Sequence, residues 1–244
     1  MYIDFSGLFH QSSKDRSGQG SIKIPLDSSE WPAEWSVISY KDYPRFKKIP
    51  LPDTKPTGDL FELIRARSSR RDFSGAPVSI GLLSAVLKYS CGITRNTKNG
   101  ESRAQPSGGG RYPIEVYPVV FAGSDEVPSG LYHYGVKRHE LDVLWQRAFT
   151  KEDIAAFFTY PWAQDATLGL FLTAVFSRNQ IKYGERGYRQ ILIEAGEIVQ
   201  NIYLVSTALG LQCCAIDGVR EQDIEKLLDV DGITESVVTS LVLG

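Results

Sequence analysis

Apolar positions along the chain follow two patterns, one close to a 3.6-residue period and one that alternates or runs unbroken, and these separate predicted helices from predicted strands. Asp59 stands before Leu60, Leu63 and Ile64, which share one face, and predicts a short helix to Ala66 with the acid favouring its N-terminus. Ser79 can cap a second helix, in which Leu82, Leu83, Val86 and Leu87 repeat at helical spacing and which ends near Gly92. Thr150 followed by Asp153 is a variant capping box for a helix through Phe158. The longest periodic segment, Tyr188 to Leu209, is closed by Gly210. Its Ile191, Leu192, Ala195, Val199, Ile202 and Tyr203 form one apolar face, while Ile193, Ile198, Leu204 and Val205 are apolar on others. A helix apolar over so much of its circumference belongs at the centre of a core or between subunits. Glu221 to Leu228 is the last predicted helix.

Thr167 to Phe176 is apolar without helical interruption and reads as a buried strand. Glu115 to Phe121 is another, with Pro118 placing it at an edge or a bulge. Leu131 to Tyr134 and Leu141 to Trp145 form a hairpin across Lys137 and Arg138, and Gln212 to Ile216 and Val237 to Leu243 complete the strands. The polar, glycine-rich stretch from Asn96 to Gly110 reads as a loop. Helices and strands mix without strict alternation, so an α+β fold with helices packed on a sheet is expected rather than a doubly wound one. Residues 1–58 differ from the rest: Pro25, Pro32, Pro44, Pro50, Pro52 and Pro56 are half of the chain's 12 prolines. They exclude a long helix or a central strand there. Trp31, Trp35, Tyr40, Tyr43 and Phe46 argue for an arm draped over its own domain or a partner subunit, because such aromatics find surface to cover. The expected division is an extended arm, 1–58, and one domain, 59–244.

Composition narrows the classes. Hydrophobic residues are 42% and charged residues 23%, ordinary globular usage that points to neither disorder nor a fibrous chain. A net charge of −2 gives no general attraction to nucleic acid or to an acidic membrane surface. Cys91, Cys213 and Cys214 have no C-x-x-C spacing, so neither a disulfide framework nor a metal site follows, and they read as small buried hydrophobes. Met1 to His10 lacks a basic segment leading into an apolar one, and the run from Leu168 to Phe176 is far short of the ~20 residues a membrane span needs. A soluble cytoplasmic protein is expected.

Four stretches carry candidate chemistry. Arg65 to Phe73 reads R-A-R-S-S-R-R-D-F, and guanidinium groups interleaved with hydroxyls suit a phosphate ester, although a solvated basic patch at a helix end has the same composition. Pro106 to Pro113 reads P-S-G-G-G-R-Y-P, where bare backbone can approach a ligand, or else form a flexible loop. Lys182 to Arg189 reads K-Y-G-E-R-G-Y-R and leads into the long helix carrying E-A-G-E-I-V-Q-N-I-Y-L. Cys214 to Gly218 reads C-A-I-D-G. No Rossmann or P-loop glycine signature is present. His10, His133 and His139 lack a nucleophile signature and read as structural or surface residues, and Glu185 and Glu194 read as ion-pair partners of the neighbouring arginines.

In this order the four stretches resemble the SagB-type dehydrogenases, FMN-dependent oxidases of the nitroreductase-like flavoprotein superfamily, several of which mature thiazoline or oxazoline rings in ribosomally made peptides. The resemblance runs from F-H-Q-S-S-K at Phe9 to the closing strand. It implies a nitroreductase-like FMN fold, with a mainly antiparallel sheet flanked by helices and the long helix at a homodimer interface. Arg67, Ser68, Ser69 and Arg71 would meet the FMN phosphate, ribityl chain and pyrimidine edge, with Arg67 on the phosphate and Arg71 near N1 and O2. Ser107, Gly108 and Gly109 would form the glycine turn beside the cofactor, and Asp217 and Gly218 the turn facing N5 and O4. Lys182 and Tyr183 would be the proton-abstracting pair, the ammonium favouring the phenolate. The substrate would be a peptide or small heterocycle, and a cyclodehydratase a possible partner. Glu197 departs from the family, where histidine commonly follows that glycine. A nitro- or quinone reductase fed by NAD(P)H, and a non-catalytic docking subunit, are the competing functions.

Overall fold

The computed structural model describes residues 5–14, 24–25, 27–97 and 100–244. In chain order its elements are α1 (Phe5–Ser12), β1 (Lys47–Pro50), α2 (Leu60–Ala66), α3 (Ile80–Cys91), β2 (Ile93–Thr97), β3 (Gly100–Arg103), β4 (Ile114–Val120), β5 (Gly130–Gly135) and β6 (Glu140–Gln146). There follow α4 (Lys151–Ala155), β7 (Leu168–Val175), α5 (Ser177–Tyr183), α6 (Glu185–Ala208), β8 (Cys213–Ala215), α7 (Glu221–Leu228) and β9 (Glu235–Leu243). Seven strands form one antiparallel sheet in the order β1-β6-β5-β4-β7-β9-β8. The fold is therefore α+β, as expected.

Alternation along β4 assigns its two faces. Ile114, Val116 and Val120 join Leu83, Val86 and Leu87 of α3 and Ile191, Ala195, Ile198 and Ile202 of α6 in one core. Tyr117, Val119 and Phe121 face the other way, onto Ile154, Phe157 and Phe158 and onto Ile224 and Leu228 of α7. Both faces are covered, so β4 and β7 are apolar nearly throughout.

Three expectations are corrected. Pro118 lies in a central strand, not at an edge or bulge. Pairing with β7 runs the whole length of β4, but pairing with β5 involves only Val119 and Val120, so the missing N–H falls where the β5 ladder has no partner to lose. The helix at Thr150 has its capping box but stops at Ala155, because Phe157 and Phe158 turn into the core and Phe158 bridges Val219. Part of the Asn96–Gly110 loop is a hairpin, β2 with β3, for which the Asn99-Gly100 dipeptide was an available signal.

The proline-rich segment packs on this chain's own sheet. β1 is an edge strand on β6, where Pro50 is tolerated. Lys41 reaches Glu235 at 2.5 Å and the Tyr117 hydroxyl at 2.6 Å, and Lys48 bonds the buried Asp142. Beneath them His133 is fully enclosed between Asp142 (2.8 Å) and Glu115 (3.0 Å), so it is structural. Arg178 lies 2.6 Å from Glu115, off hydrogen-bond geometry. Together with His133 it holds the Glu115 carboxyl down at about 2 despite burial. All three cysteines are free and buried.

Candidate active site

Asp59 caps α2 by accepting from the Phe61 and Glu62 amides at 3.0 and 3.1 Å, and the helix ends at Arg67, after which the chain is extended. The Arg70 amide donates to the Cys213 carbonyl at 2.9 Å, which fixes this segment against β8. Tyr203 of α6 is the hub. Its hydroxyl lies 3.0 Å from Ser69 Oγ and accepts from the Ala215 amide at 2.7 Å, and the Arg67 guanidinium stands 5.2 Å above its ring. Arg71 lies over Trp162 at 5.1 Å, and Trp162 stacks on Tyr160, which borders Gly218. The Gly218 carbonyl accepts from the Thr159 amide and hydroxyl at 2.8 and 3.0 Å, while Asp217 accepts from Thr239 at 3.2 Å. The exposed Ser68 accepts only from Arg70, at 3.0 Å. Arg65 is paired with Glu62, but among the described residues Arg67, Arg70 and Arg71 have no carboxylate partner. Three unneutralised guanidinium groups beside a wall of aromatic rings suit a phosphorylated, planar ligand.

A second group forms around the glycine turn. Gly109 and Gly110 take φ values of 67° and 65°, the left-handed region that favours glycine. A Cβ on Gly109 would run into the Tyr183 hydroxyl and lie 3.3 Å from Lys182 Nζ. Lys182 and Tyr183 end α5, and Gly184 at φ 54° separates that helix from α6. Although adjacent residues on a helix diverge, both side chains therefore converge on Gly109. The Lys182 side chain is 1% exposed and its amine has no hydrogen-bond partner among the described residues. The same is true of Gln105 Oε1 and Asn179 Oδ1. Burial pushes the Lys182 amine down, and Arg111 adds to this. Burial also pushes the Tyr183 phenol up, with Arg111 opposing. The expected lowering of the phenol by its lysine neighbour is not what this geometry gives, because loss of water outweighs the nearby charge.

Glu194 is a second correction. Neither it nor the exposed Glu185 forms an ion pair among the described residues. Glu194, 2% exposed, accepts instead from Ser107 Oγ at 2.6 Å and Gln105 Nε2 at 3.2 Å, and burial raises its carboxyl to about 7. Ser107 also accepts from the Tyr112 amide at 2.8 Å, so this carboxyl is tied to the glycine turn. A carboxyl raised from 4.5 to about 7 binds more protons folded than unfolded between those values, so it withdraws stability as pH rises through that window. Glu194→Gln should abolish this contribution, of order ~3 kcal/mol at most. Urea unfolding at pH 5 and pH 8 checks it: the variant's loss between the two should be the smaller, and equal losses would refute the assignment.

The site residues thus fall into two groups rather than one. Arg67, Ser69, Arg71, Asp217 and Gly218 lie about Tyr203 and Trp162, and Ser107, Gly108, Gly109, Lys182 and Tyr183 lie about Glu194. Glu194 and Tyr203 are nine residues apart on α6, which is ~13 Å along the axis and half a turn around it. Among the described residues no hydrogen bond, ion pair or ring contact joins the two groups. Sequence reasoning missed Tyr203, Trp162, Arg111 and the role of Glu194.

The antiparallel sheet with α6 across it thus carries two groups of candidate site residues, free arginines about Tyr203 and a buried amine against a glycine turn. The chain belongs to the Nitroreductase family, whose model matches residues 64–244. The protein MJ1384 of Methanocaldococcus jannaschii, named as a nitroreductase, is 29% identical over 75% of this chain and 90% of its own length. The trifolitoxin-processing protein TfxB of Rhizobium leguminosarum bv. trifolii is 29% identical over 80% of this chain, which spans only 56% of TfxB. Among solved structures, the microcin synthetase McbBCD complex of E. coli with truncated pro-MccB17 bound matches all of this chain and 82% of the matched one, with 20% identity and a TM-score of 0.60. A Desulfovibrio desulfuricans structure in complex with FMN, 16% identical, covers 77% of this chain and 87% of its own with a TM-score of 0.50. No helix among the described residues is long and apolar enough to cross a membrane.

Proposed function

We propose that this protein is an FMN-dependent oxidoreductase that dehydrogenates an azoline ring or equivalent amino-acid unit of a peptide, acting as a homodimer with each site assembled from two chains. The observation that carries the reading is the split site: free arginines in one group, and a buried, unpartnered amine against a glycine turn in the other. FMN, when bound, supplies a two-electron acceptor. Arg67 would hold its phosphate, Ser69 the chain next to it, and Arg71 the ring edge, with the Asp217–Gly218 turn and the partner's Ser107–Gly109 turn closing the sides. Burial makes the Lys182 amine easier to deprotonate and keeps the Tyr183 phenol protonated, and an amine that sheds its proton is a base while a phenol that keeps its own is a donor. Lys182 therefore takes the ring proton and Tyr183 orients the acceptor, reversing the roles the resemblance suggested. Peptide-processing relatives support a peptide substrate and a ring-forming partner enzyme.

Exposed apolar residues support the dimer. Ile193 and Leu192 on α6 are 62% and 41% exposed, and Phe61 and Ile64 on α2 are 77% and 51% exposed, a large apolar surface for a single chain to leave in water. A complementation experiment tests the composite site. Arg67→Ala and Lys182→Ala each spoil a different group, so a mixed dimer of the two regains one intact site. Random mixing should restore about a quarter of wild-type activity, since half of the dimers are mixed and each has one of two sites. No recovery in verified mixed dimers would place both groups in one chain's site.

A further inference from the structure

The arm does more at the second group than cover surface. Lys182 Nζ lies 3.2 Å from the centroid of the Trp31 ring and 5.9 Å from that of Trp35, so the amine touches the face of one indole under the shelter of another. Among the described residues it has no hydrogen bond, although its donors need satisfying in so buried a place. Trp31 itself is only half-buried. Its indole N–H donates to the Pro25 carbonyl at 2.8 Å, which ties it to the arm and not to the domain. The residues just after it are anchored firmly. Arg111, next to the glycine turn, donates to the Glu34 and Val37 carbonyls, both at 2.8 Å, and to the Arg178 carbonyl at 2.7 Å. Single 3₁₀ turns, Ser28–Glu30 and Ala33–Trp35, flank Trp31, and such short turns open at little cost. The arm is thus clamped to the domain at residues 34–37, while the Trp31 side chain is hydrogen-bonded within the arm itself.

We infer that the Trp31 indole holds, over the Lys182 amine, the place of a planar unsaturated ring in the substrate, so that Trp31 is a self-bound, specificity-determining cap which such a ring displaces. This rests on Lys182 being the working group of the site. A flat face is what the amine now accepts, and an azoline, near-planar with one C=N bond, offers a smaller flat face together with a ring nitrogen for the missing hydrogen bond, its azole product a full π-face. A charged, non-planar or purely aliphatic ligand offers neither. Because the cap competes with the ligand, apparent affinity is reduced by the fraction of capped protein.

Two measurements on flavin-loaded protein test this with Trp31→Ala and Trp31→Phe. The first is the rate of reductive methylation at Lys182, read by peptide mass spectrometry without substrate. Loss of the indole should raise it on the order of tenfold, the size of one desolvated cation–π contact, while Trp31→Phe stays near wild type. The second is the affinity for two flat probes, a thiazole-bearing peptide and a nitroarene, with Trp31→Ala expected to bind at least one of them several-fold more tightly. Unchanged labelling, or weaker binding of both probes in Trp31→Ala, overturns the cap. Tighter nitroarene binding with no thiazole-peptide binding in any variant upholds the cap and overturns the azoline reading. Lys41 and Lys48 pin the arm elsewhere, so the substitution leaves the fold intact, and an unchanged melting temperature verifies this.

Discussion

Arg67→Ala protein should purify largely without flavin. Its guanidinium is held over Tyr203 at 5.2 Å, is partly shielded, and has no carboxylate partner among the described residues, so an anionic phosphate is the partner its position favours. A charge-assisted hydrogen bond contributes ~1.5–3 kcal/mol, which corresponds to FMN binding weakened about 10- to 150-fold. Titration of apoprotein with FMN measures it, and Arg65→Ala, whose exposed guanidinium is already paired with Glu62, is the control that should bind as wild type. Unchanged affinity in Arg67→Ala would remove the phosphate from this half-site.

Lys182→Ala should bind FMN and dimerise normally yet lose ~10²- to 10⁴-fold in substrate oxidation, the range for a positioned proton-transfer group. Tyr183→Phe should lose less, because it removes a donor and not the base. The pH profiles distinguish the roles. With burial lowering the Lys182 amine, the rate should rise with pH as that amine loses its proton and then level off, and Tyr183→Phe should keep this limb. A limb that vanishes in Tyr183→Phe and persists in Lys182→Arg would return the base to the phenol.

The scaffold was legible wherever one side-chain period dominated. Ser79 and its apolar repeat, the Tyr188–Leu209 face and the Leu131/Leu141 hairpin gave α3, α6 and β5–β6 to within a few residues. Pro118 misled because a ladder that stops short on one side tolerates proline, and no local signal reveals where pairing stops. α5 went unseen because only Phe176 separates it from β7 and because its buried side chains, Arg178, Asn179 and Lys182, are polar and leave no apolar repeat to read. The site divides in the same way. Motifs that act through their own backbone and charge, the arginine cluster and the glycine turn, stood out. Residues that act through distant partners did not: Ser107 meets Glu194 across 87 residues, Ser69 meets Tyr203 across 134, and Trp31 meets Lys182 only because the arm folds back.

Oxidation of a peptide ring through Lys182 would pass two electrons to the bound flavin. Anaerobic single-turnover flavin reduction, with an azoline-bearing peptide and separately with NADPH, tests it most directly. Bleaching by the azoline peptide in wild type, absent in Lys182→Ala although FMN occupancy is equal, is the predicted result. Rapid bleaching by NADPH together with no response to the azoline peptide would contradict the account and leave a nicotinamide-fed reductase in its place.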